Sequence, residues 1–264
     1  FNDRLQYLRN LEKRKEEVAS AITEQGKMTE EIQKALDAAA TLTEVEDIYR
    51  PFKQKKKTRA SVAVERGLQP LADFILAQDK TADVRAEAEK YVSEEKGVPD
   101  ADAAIAGAKD IIAEIVSDDA NVRKKLRNLF MRNGEIATKL VNTDKEDSKT
   151  YEMYTDYSEP VAEIKSHRVL AVNRGEKEGF LKVKLLLNDE IAKRIAGASY
   201  LKNGGYSTEL VKEAVDDGYD RLIFPSIERE IRAMLTESAS EQAIKMFEIN
   251  LKPLLMQPPV KDKV

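Results

Sequence analysis

The sequence lacks several residue types on which catalytic and metal-binding sites commonly depend. It contains no cysteine and no tryptophan, and His167 is its single histidine. The absence of cysteine excludes thiol nucleophiles, disulfide bonds and cysteine-containing zinc sites, and a single histidine excludes a multi-histidine metal cluster. We therefore expect no metal site and no cofactor. The lack of cysteine also fits a reducing compartment, and we expect a cytoplasmic protein.

Long apolar runs are also missing. No stretch approaches the roughly 18 to 20 apolar residues of a membrane-spanning helix, and the first residues show no basic-then-apolar signal layout. We expect no membrane association. Because the sequence starts at Phe1 rather than at methionine, we expect it to be part of a longer chain.

Charged residues make up 35% of the sequence, but neither sign dominates. The 44 basic and 48 acidic residues give a net charge of -4. A dedicated nucleic-acid-binding domain is usually strongly basic, so any contact with nucleic acid must come from a local patch.

Apolar residues recur at helical spacing along most of the chain. The first helix is predicted over residues 1–24 and the second over 29–40, and Thr43 with Glu46 forms a capping-box pattern that restarts a helix ending before Pro51. Farther on, Ile223, Ile227, Ile231 and Leu235 are predicted to lie along one buried helix face. Leu181 to Leu187 alternate like a strand for which the sequence supplies no plain partner. We therefore predict an all-α protein, an irregular multi-helix bundle with at most one short β element.

The densest local feature is the segment YRPFKQKKKTRA. Five basic residues fall within seven positions and no acidic residue interrupts them, whereas the overall frequency of 44 in 264 predicts about one. Such a segment can neutralise phosphates without reading bases, and Tyr49 and Phe52 nearby could stack on an unpaired base. The alternative is a solvated loop that pairs with acidic helix faces. The candidate nucleic-acid-binding residues are Lys53, Lys55, Lys56, Lys57 and Arg59.

Other clusters favour structural roles. The small-residue and glycine pattern ending at Gly67 resembles a helix-turn-helix corner, but the helix after it, PLADFILAQ, is apolar and acidic and is a poor reader of base edges. A second basic run on one helix is typical of a solvated helix face; it contains Arg123, Lys124, Lys125, Arg127 and Arg132.

The acidic pairs and the histidine do not form a catalytic constellation. Asp118-Asp119 and Asp216-Asp217 sit where helices start or turns form, which favours capping or turn roles. His167 follows a candidate cap, Ser166, near a helix start, and it has no second histidine or cysteine to work with. We expect no catalytic residues and no enzymatic activity in this chain.

Three long strings resemble the bacterial Tex family of transcription accessory proteins. They are LTEVEDIYRPFKQKKKTRASVAVERGLQPLADFILAQ, SHRVLAVNRGEKEGFLKV and FPSIEREIRAMLTESASEQAIKMFEINLKPLLMQPP, in that order. The resemblance covers nearly all of the chain. It implies a helical N-terminal and central region, followed in the family by an RNase-H-like domain, helix-hairpin-helix elements and an OB-fold RNA-binding domain that this sequence does not contain.

The resemblance also implies a domain organisation and a role. A helix-turn-helix-like subdomain over 44–115 would be inserted into a discontinuous helical scaffold of 1–43 and 116–264. Independently of the resemblance, the polar and charged composition of residues 142–148 predicts a linker there. The chain would serve as a scaffold in a nucleic-acid-associated assembly, with RNA or DNA bound mainly by the domains outside it and with transcription machinery proteins as further partners. The alternative is part of a nuclease whose active site would lie in the downstream RNase-H-like domain.

Overall fold

The fold was obtained as a computed structural model, which describes residues 2–54, 56–142, 146–202 and 205–256. Helices dominate it, as predicted. In chain order they are α1 (Asn2–Glu24), α2 (Glu30–Ala38), α3 (Leu42–Tyr49), α4 (Arg59–Glu65), α5 (Gln69–Ala77), α6 (Val84–Glu89), α7 (Ala101–Asp118), α8 (Ala120–Asn133), α9 (Ser166–Lys177), α10 (Asp189–Gly197), α11 (Gly205–Gly218) and α12 (Phe224–Leu255). None of these helices is long and apolar enough to cross a membrane.

Short polar side chains begin many of these helices. Thr29 accepts a hydrogen bond from the Ile32 amide, and Asp100 accepts one from the Ala103 amide. These bonds satisfy backbone donors that have no partner inside the helix. The cap of α3 is Thr41, which accepts from the Glu44 amide, so the sequence prediction of Thr43 was wrong by two residues.

The chain divides into two compact units, and the first consists of Phe1–Leu126 and Asp189–Pro225. Helix α7 lies at its centre and packs against α4, α5, α6 and α11. Gly218 allows α11 to approach α7 closely, because a Cβ there would lie 2.9 Å from the Ala113 carbonyl oxygen. Helices α1, α2 and α3 surround a smaller apolar cluster of Leu11, Val18, Ile22, Leu36, Ala39 and Val45.

The second unit consists of Arg127–Asn188 and Ser226–Val264 and contains a three-stranded antiparallel sheet. The strands are β1 (Glu135–Leu140), β2 (Asp156–Pro160) and β3 (Leu181–Leu186), and their order is β2-β1-β3. The predicted strand at Leu181–Leu187 is thus confirmed as β3. The limit of one short β element was wrong, because β1 supplies the missing partner and also pairs with β2.

These bounds differ from the predicted division at residues 43/44 and 115/116. Each unit combines two separate stretches of the chain, and the divisions fall after Leu126, Asn188 and Pro225. The predicted linker near 142–148 includes residues 143–145, which lie outside the described residues, and it stays a prediction. Around it, β1 ends at Leu140 and a 3-10 helix covers Glu146–Tyr154.

Candidate nucleic-acid interface

The predicted basic segment connects two helical elements of the first unit. A 3-10 turn covers Arg50–Phe52, and α4 begins at Arg59, capped by Thr58 through a reciprocal capping box with Ser61. Lys53, Lys56 and Lys57 between them are outside regular helix, as Pro51 and the cap at Thr58 require. Lys55, one of the five predicted binding residues, lies outside the described residues.

The four described members of the predicted site are exposed: Lys53, Lys56, Lys57 and Arg59. Two of the three lysines form salt bridges. Lys53 Nζ lies 3.4 Å from Glu46 Oε2, and Lys57 Nζ lies 3.9 Å from Glu65 Oε2. The lysine side chains in these pairs keep 58% and 72% of their surface accessible, so both pairs are weak and open to exchange with another anion.

Glu46 shows how the local charges balance. Burial acts to raise the pKa of Glu46, but the hydrogen bond and charge of Arg14, together with Lys53, outweigh burial and lower the pKa. Arg14 Nη2 approaches Glu46 Oε1 to 2.7 Å, closer than Lys53. Glu46 therefore stays paired with Arg14 when Lys53 turns to another anion.

The two ends of the basic segment are fixed by hydrogen bonds to Gln25, which follows α1, and to α7. Gln25 Nε2 donates to the Phe52 carbonyl at 3.0 Å, and Arg50 Nε donates to Asp118 Oδ1 at 3.2 Å. At the other end, Thr58 Oγ1 donates to Glu114 Oε2 at 2.9 Å. The fold thus holds exposed cationic side chains between two fixed points.

The rings of Tyr49 and Phe52 are not exposed for stacking on bases. Both rings are half-buried and pack against the apolar cluster of α1, α2 and α3. The Arg14 guanidinium also lies over the Tyr49 ring, 5.8 Å from its centroid. The structure gives these rings a packing role, and the segment offers charge without an aromatic stacking platform.

A cleft of about 780 Å³ lies beside the segment, but its charge is wrong for phosphate. Its walls carry four carboxylates, from Glu65, Glu114, Asp118 and Asp119, against the two amines of Lys27 and Lys53. The Tyr200 hydroxyl donates to Asp119 Oδ2 at 2.7 Å there, and burial raises the Tyr200 pKa. The excess of carboxylates makes this cleft unfavourable for a phosphate.

Helices α4 and α5 follow each other around Gly67, and α5 faces the core. Gly67 has a φ of +83°, which lets the chain turn sharply between α4 and α5. Leu71 and Ile75 of α5 are fully buried, and α5 packs against α7. Asp73 is on the exposed side of α5, and a carboxylate there repels the DNA backbone. Core packing, the favoured prediction for this helix, is confirmed.

The second basic run does not form one solvated helix face. Arg123 is fully buried, and its Nε donates to Asp47 Oδ1 at 2.9 Å. Lys124 Nζ lies 2.7 Å from Glu44 Oε1, and Arg127 Nη2 lies 2.8 Å from Glu230 Oε2. Three of the five basic side chains on α8 therefore form ion pairs with carboxylates of other helices. The prediction of a solvated face was wrong for Arg123.

The acidic pairs have structural partners. Asp119 caps α8 by accepting from the Asn121 and Val122 amides, as the sequence predicted for this pair. Asp217 accepts a hydrogen bond from Arg221, whose Nη2 lies 2.6 Å from Asp217 Oδ2. Asp217 therefore forms an ion pair instead of stabilising a turn. His167 is exposed in the first turn of α9. Among the described residues, no group of three or more His, Cys, Asp or Glu side chains could hold a metal ion.

The sequence matches the Tex central region-like family over residues 79–247. Protein YdcI of Bacillus subtilis is 46% identical, across 100% of this chain and 37% of that protein. The transcriptional accessory protein Tex of Neisseria gonorrhoeae is 37% identical, across 97% of this chain and 34% of that protein. The human S1 RNA-binding domain-containing protein 1 is 28% identical, across 97% and 27%. The chain therefore spans about a third of the length of these curated relatives.

Proposed function

The chain belongs to the Tex family, and from this membership we propose that it is a scaffold region of a transcription accessory protein that makes weak, sequence-independent contact with nucleic-acid phosphates. The observation that carries the proposal is the exposed basic segment, fixed at both ends in a helical framework. A relative named for an RNA-binding domain also supports nucleic acid as the partner class. Transcription machinery proteins, as further partners, and a cytoplasmic location belong to the same proposal.

The chemistry of the segment favours phosphates over bases. Lysine carries a compact charge without the planar fork with which arginine recognises guanine edges, and the segment contains three described lysines and one arginine. Phosphates are shared by RNA and DNA, so the segment contacts either polymer. A net charge of -4 for the whole chain keeps this contact weak.

Reversing the charge of the segment tests the proposal. The variant Lys53→Glu/Lys56→Glu/Lys57→Glu should bind mixed-sequence duplex DNA and single-stranded RNA more weakly, by the same factor for every sequence. The slope of log affinity against log salt should fall by about 2 to 3, since each contacted phosphate contributes about 0.7 to 0.9. Fluorescence anisotropy titrations between 50 and 200 mM salt, roughly the range over which such slopes are steep, measure both quantities.

The control variant changes charge by the same amount elsewhere. Lys80, Lys96 and Lys212 are exposed, and their replacement by glutamate should alter the slope much less. The melting temperature of the segment variant should barely move, because exposed charge pairs contribute about 0 to 1 kcal/mol. If the segment variant binds with wild-type affinity and salt slope, the segment is only a solvated loop. A large loss of stability in this variant would show that the lysines mainly form ion pairs with acidic helix faces.

We also propose that this chain is catalytically inert. The acids of its most prominent pairs serve as a helix cap and as ion-pair partners, and acid-base or metal chemistry needs carboxylates that converge on a substrate. Purified protein incubated with Mg²⁺ or Mn²⁺ should leave labelled RNA and DNA intact. Metal-dependent cleavage that disappears in Asp118→Ala or Asp217→Ala would contradict the proposal.

A further inference from the structure

The sheet of the second unit has one buried and one exposed face, and the exposed face carries three lysines. Along β3 the side chains alternate, with Val183 buried and Lys182 and Lys184 exposed. Lys139 of β1 is exposed as well and lies directly opposite Lys182, while Lys184 lies opposite Ala137. The three lysines are therefore cross-strand and diagonal neighbours on one surface, which we call the sheet lysine face.

This arrangement places like charges where they repel. Side chains directly opposite in an antiparallel pair have Cβ atoms about 4.5 to 5.5 Å apart, and like charges at such positions destabilise the pair. Across the described ranges, no salt bridge includes any of the three sheet lysines. Asp156 lies opposite Lys139 on the β2 side, and Glu135 accepts a hydrogen bond from Ser158 Oγ at 2.6 Å. These two acids leave the sheet lysine face with one net positive charge.

Protection of the sheet edge does not account for the lysines. Lysine is common on exposed edge strands because it discourages pairing with another chain. Lys139 belongs to the central strand, where edge protection has no meaning. On β3 the edge already has a partner, since the Leu185 amide donates to Glu228 Oε1 of α12 at 3.0 Å.

We propose that the sheet lysine face binds the phosphate backbone of a nucleic acid as a second contact surface, apart from the basic segment. Lys182 and Lys184 are separated by two residues of extended chain, about 6.4 to 6.8 Å, which suits a polymer with regularly repeated charge. Ala137 lies opposite Lys184, and Ser158 lies opposite Ala137 on the other side; both side chains are small. A bound phosphate chain removes the repulsion between Lys139 and Lys182. The inference takes its partner class from the proposed function, but it concerns different residues.

Two variants of the sheet lysine face test this inference. Lys139→Gln/Lys182→Gln/Lys184→Gln removes the charges, and its salt slope on duplex DNA and on single-stranded RNA should fall by about 2 to 3. Lys182→Glu alone places a carboxylate opposite Lys139. Its melting temperature should stay the same or rise, because a like-charge pair becomes an opposite-charge pair, while its affinity for the same probes falls. A residue with a merely structural role would not separate stability from binding in this direction.

The variants of the basic segment make the outcomes distinguishable. Loss of binding in the sheet variants that adds to the loss in the segment variant supports both surfaces. Wild-type binding in the sheet variants, with weakened binding in the segment variant, overturns this inference and leaves the proposed function standing. Weakened binding in the sheet variants, with wild-type binding in the segment variant, supports the sheet lysine face and excludes the basic segment as a site. Tighter binding of polyglutamate than of RNA of equal charge would make the face a site for acidic protein and would overturn the inference.

Discussion

Asp47→Ala is expected to lower the free energy of unfolding by about 3 to 5 kcal/mol, because it leaves the buried guanidinium of Arg123 without this carboxylate. Asp47 and Arg123 expose 5% and 0% of their surface, so the pair is largely removed from water. The 2.9 Å bond between them joins α3 to α8 within the first unit. Urea denaturation followed by circular dichroism measures the change as a shift of the midpoint at constant slope.

Two controls separate the cost of a lone buried charge from other causes. The double variant Asp47→Leu/Arg123→Met removes both charges and should recover much of the lost stability, since apolar replacement of a buried pair is often neutral or favourable. Lys124→Ala breaks the neighbouring ion pair between Lys124 and Glu44. The Lys124 side chain is 59% accessible, so this replacement should lower the free energy of unfolding by only about 0 to 1 kcal/mol. Equal urea midpoints for Asp47→Ala and Lys124→Ala would show that breaking the buried pair costs no more than breaking the exposed pair.

Arg123 illustrates what the sequence could not reveal. In the run NVRKKLRN it is one of several cations on a helix, and composition favours a solvated face for all of them. Its partner Asp47 lies on α3, so only the tertiary fold brings the two together. Helical periodicity, by contrast, correctly indicated the helices, because the spacing of apolar residues reports local structure directly.

The sheet was missed for a related reason. Strand β3 has a plain alternation of apolar and charged residues, which the sequence analysis recognised. Strand β1 buries Thr138, a polar residue whose hydroxyl donates to the Tyr154 carbonyl at 2.7 Å, and this hides the apolar alternation. Strand β2 is the short and charged DYSEP, with intermediate burial at best. Strands β1 and β2 lack an apolar signature and become recognisable only through pairing, β1 with β3 and β2 with β1.

The candidate sites show the same division. Density of charge in the sequence located the basic segment, and the structure places its described members at the surface. The sheet lysine face has no such density, because Lys139 and Lys182 are distant in sequence and meet only through strand pairing. Stacking by Tyr49 and Phe52 was inferred from proximity in sequence, which does not report that both rings pack inward.

The long helix α12 shows a limit of periodicity itself. The sequence predicted buried positions along it, and Ile227 and Ile231 are buried as expected, while Leu235 is half-buried. Residues 241–255 of the same helix are all exposed, although Ile244, Phe247 and Leu251 continue the apolar pattern. An apolar face indicates a helix, but it does not indicate whether this chain covers that face.

Ile231→Ala is expected to cost about 2 to 5 kcal/mol, and Ile244→Ala provides a matched control on the same helix. Ile231 exposes 1% of its surface, so truncation removes buried methyl groups and leaves a cavity that neighbouring side chains fill only in part. Ile244 exposes 68%, and its truncation should change stability by no more than about 0.5 kcal/mol. Both replacements gain similar helix propensity, so the difference between the two urea midpoints isolates burial. Equal midpoints would contradict the assignment of Ile231 to the core. A large loss in Ile244→Ala would instead show that the exposed end of α12 is covered in solution.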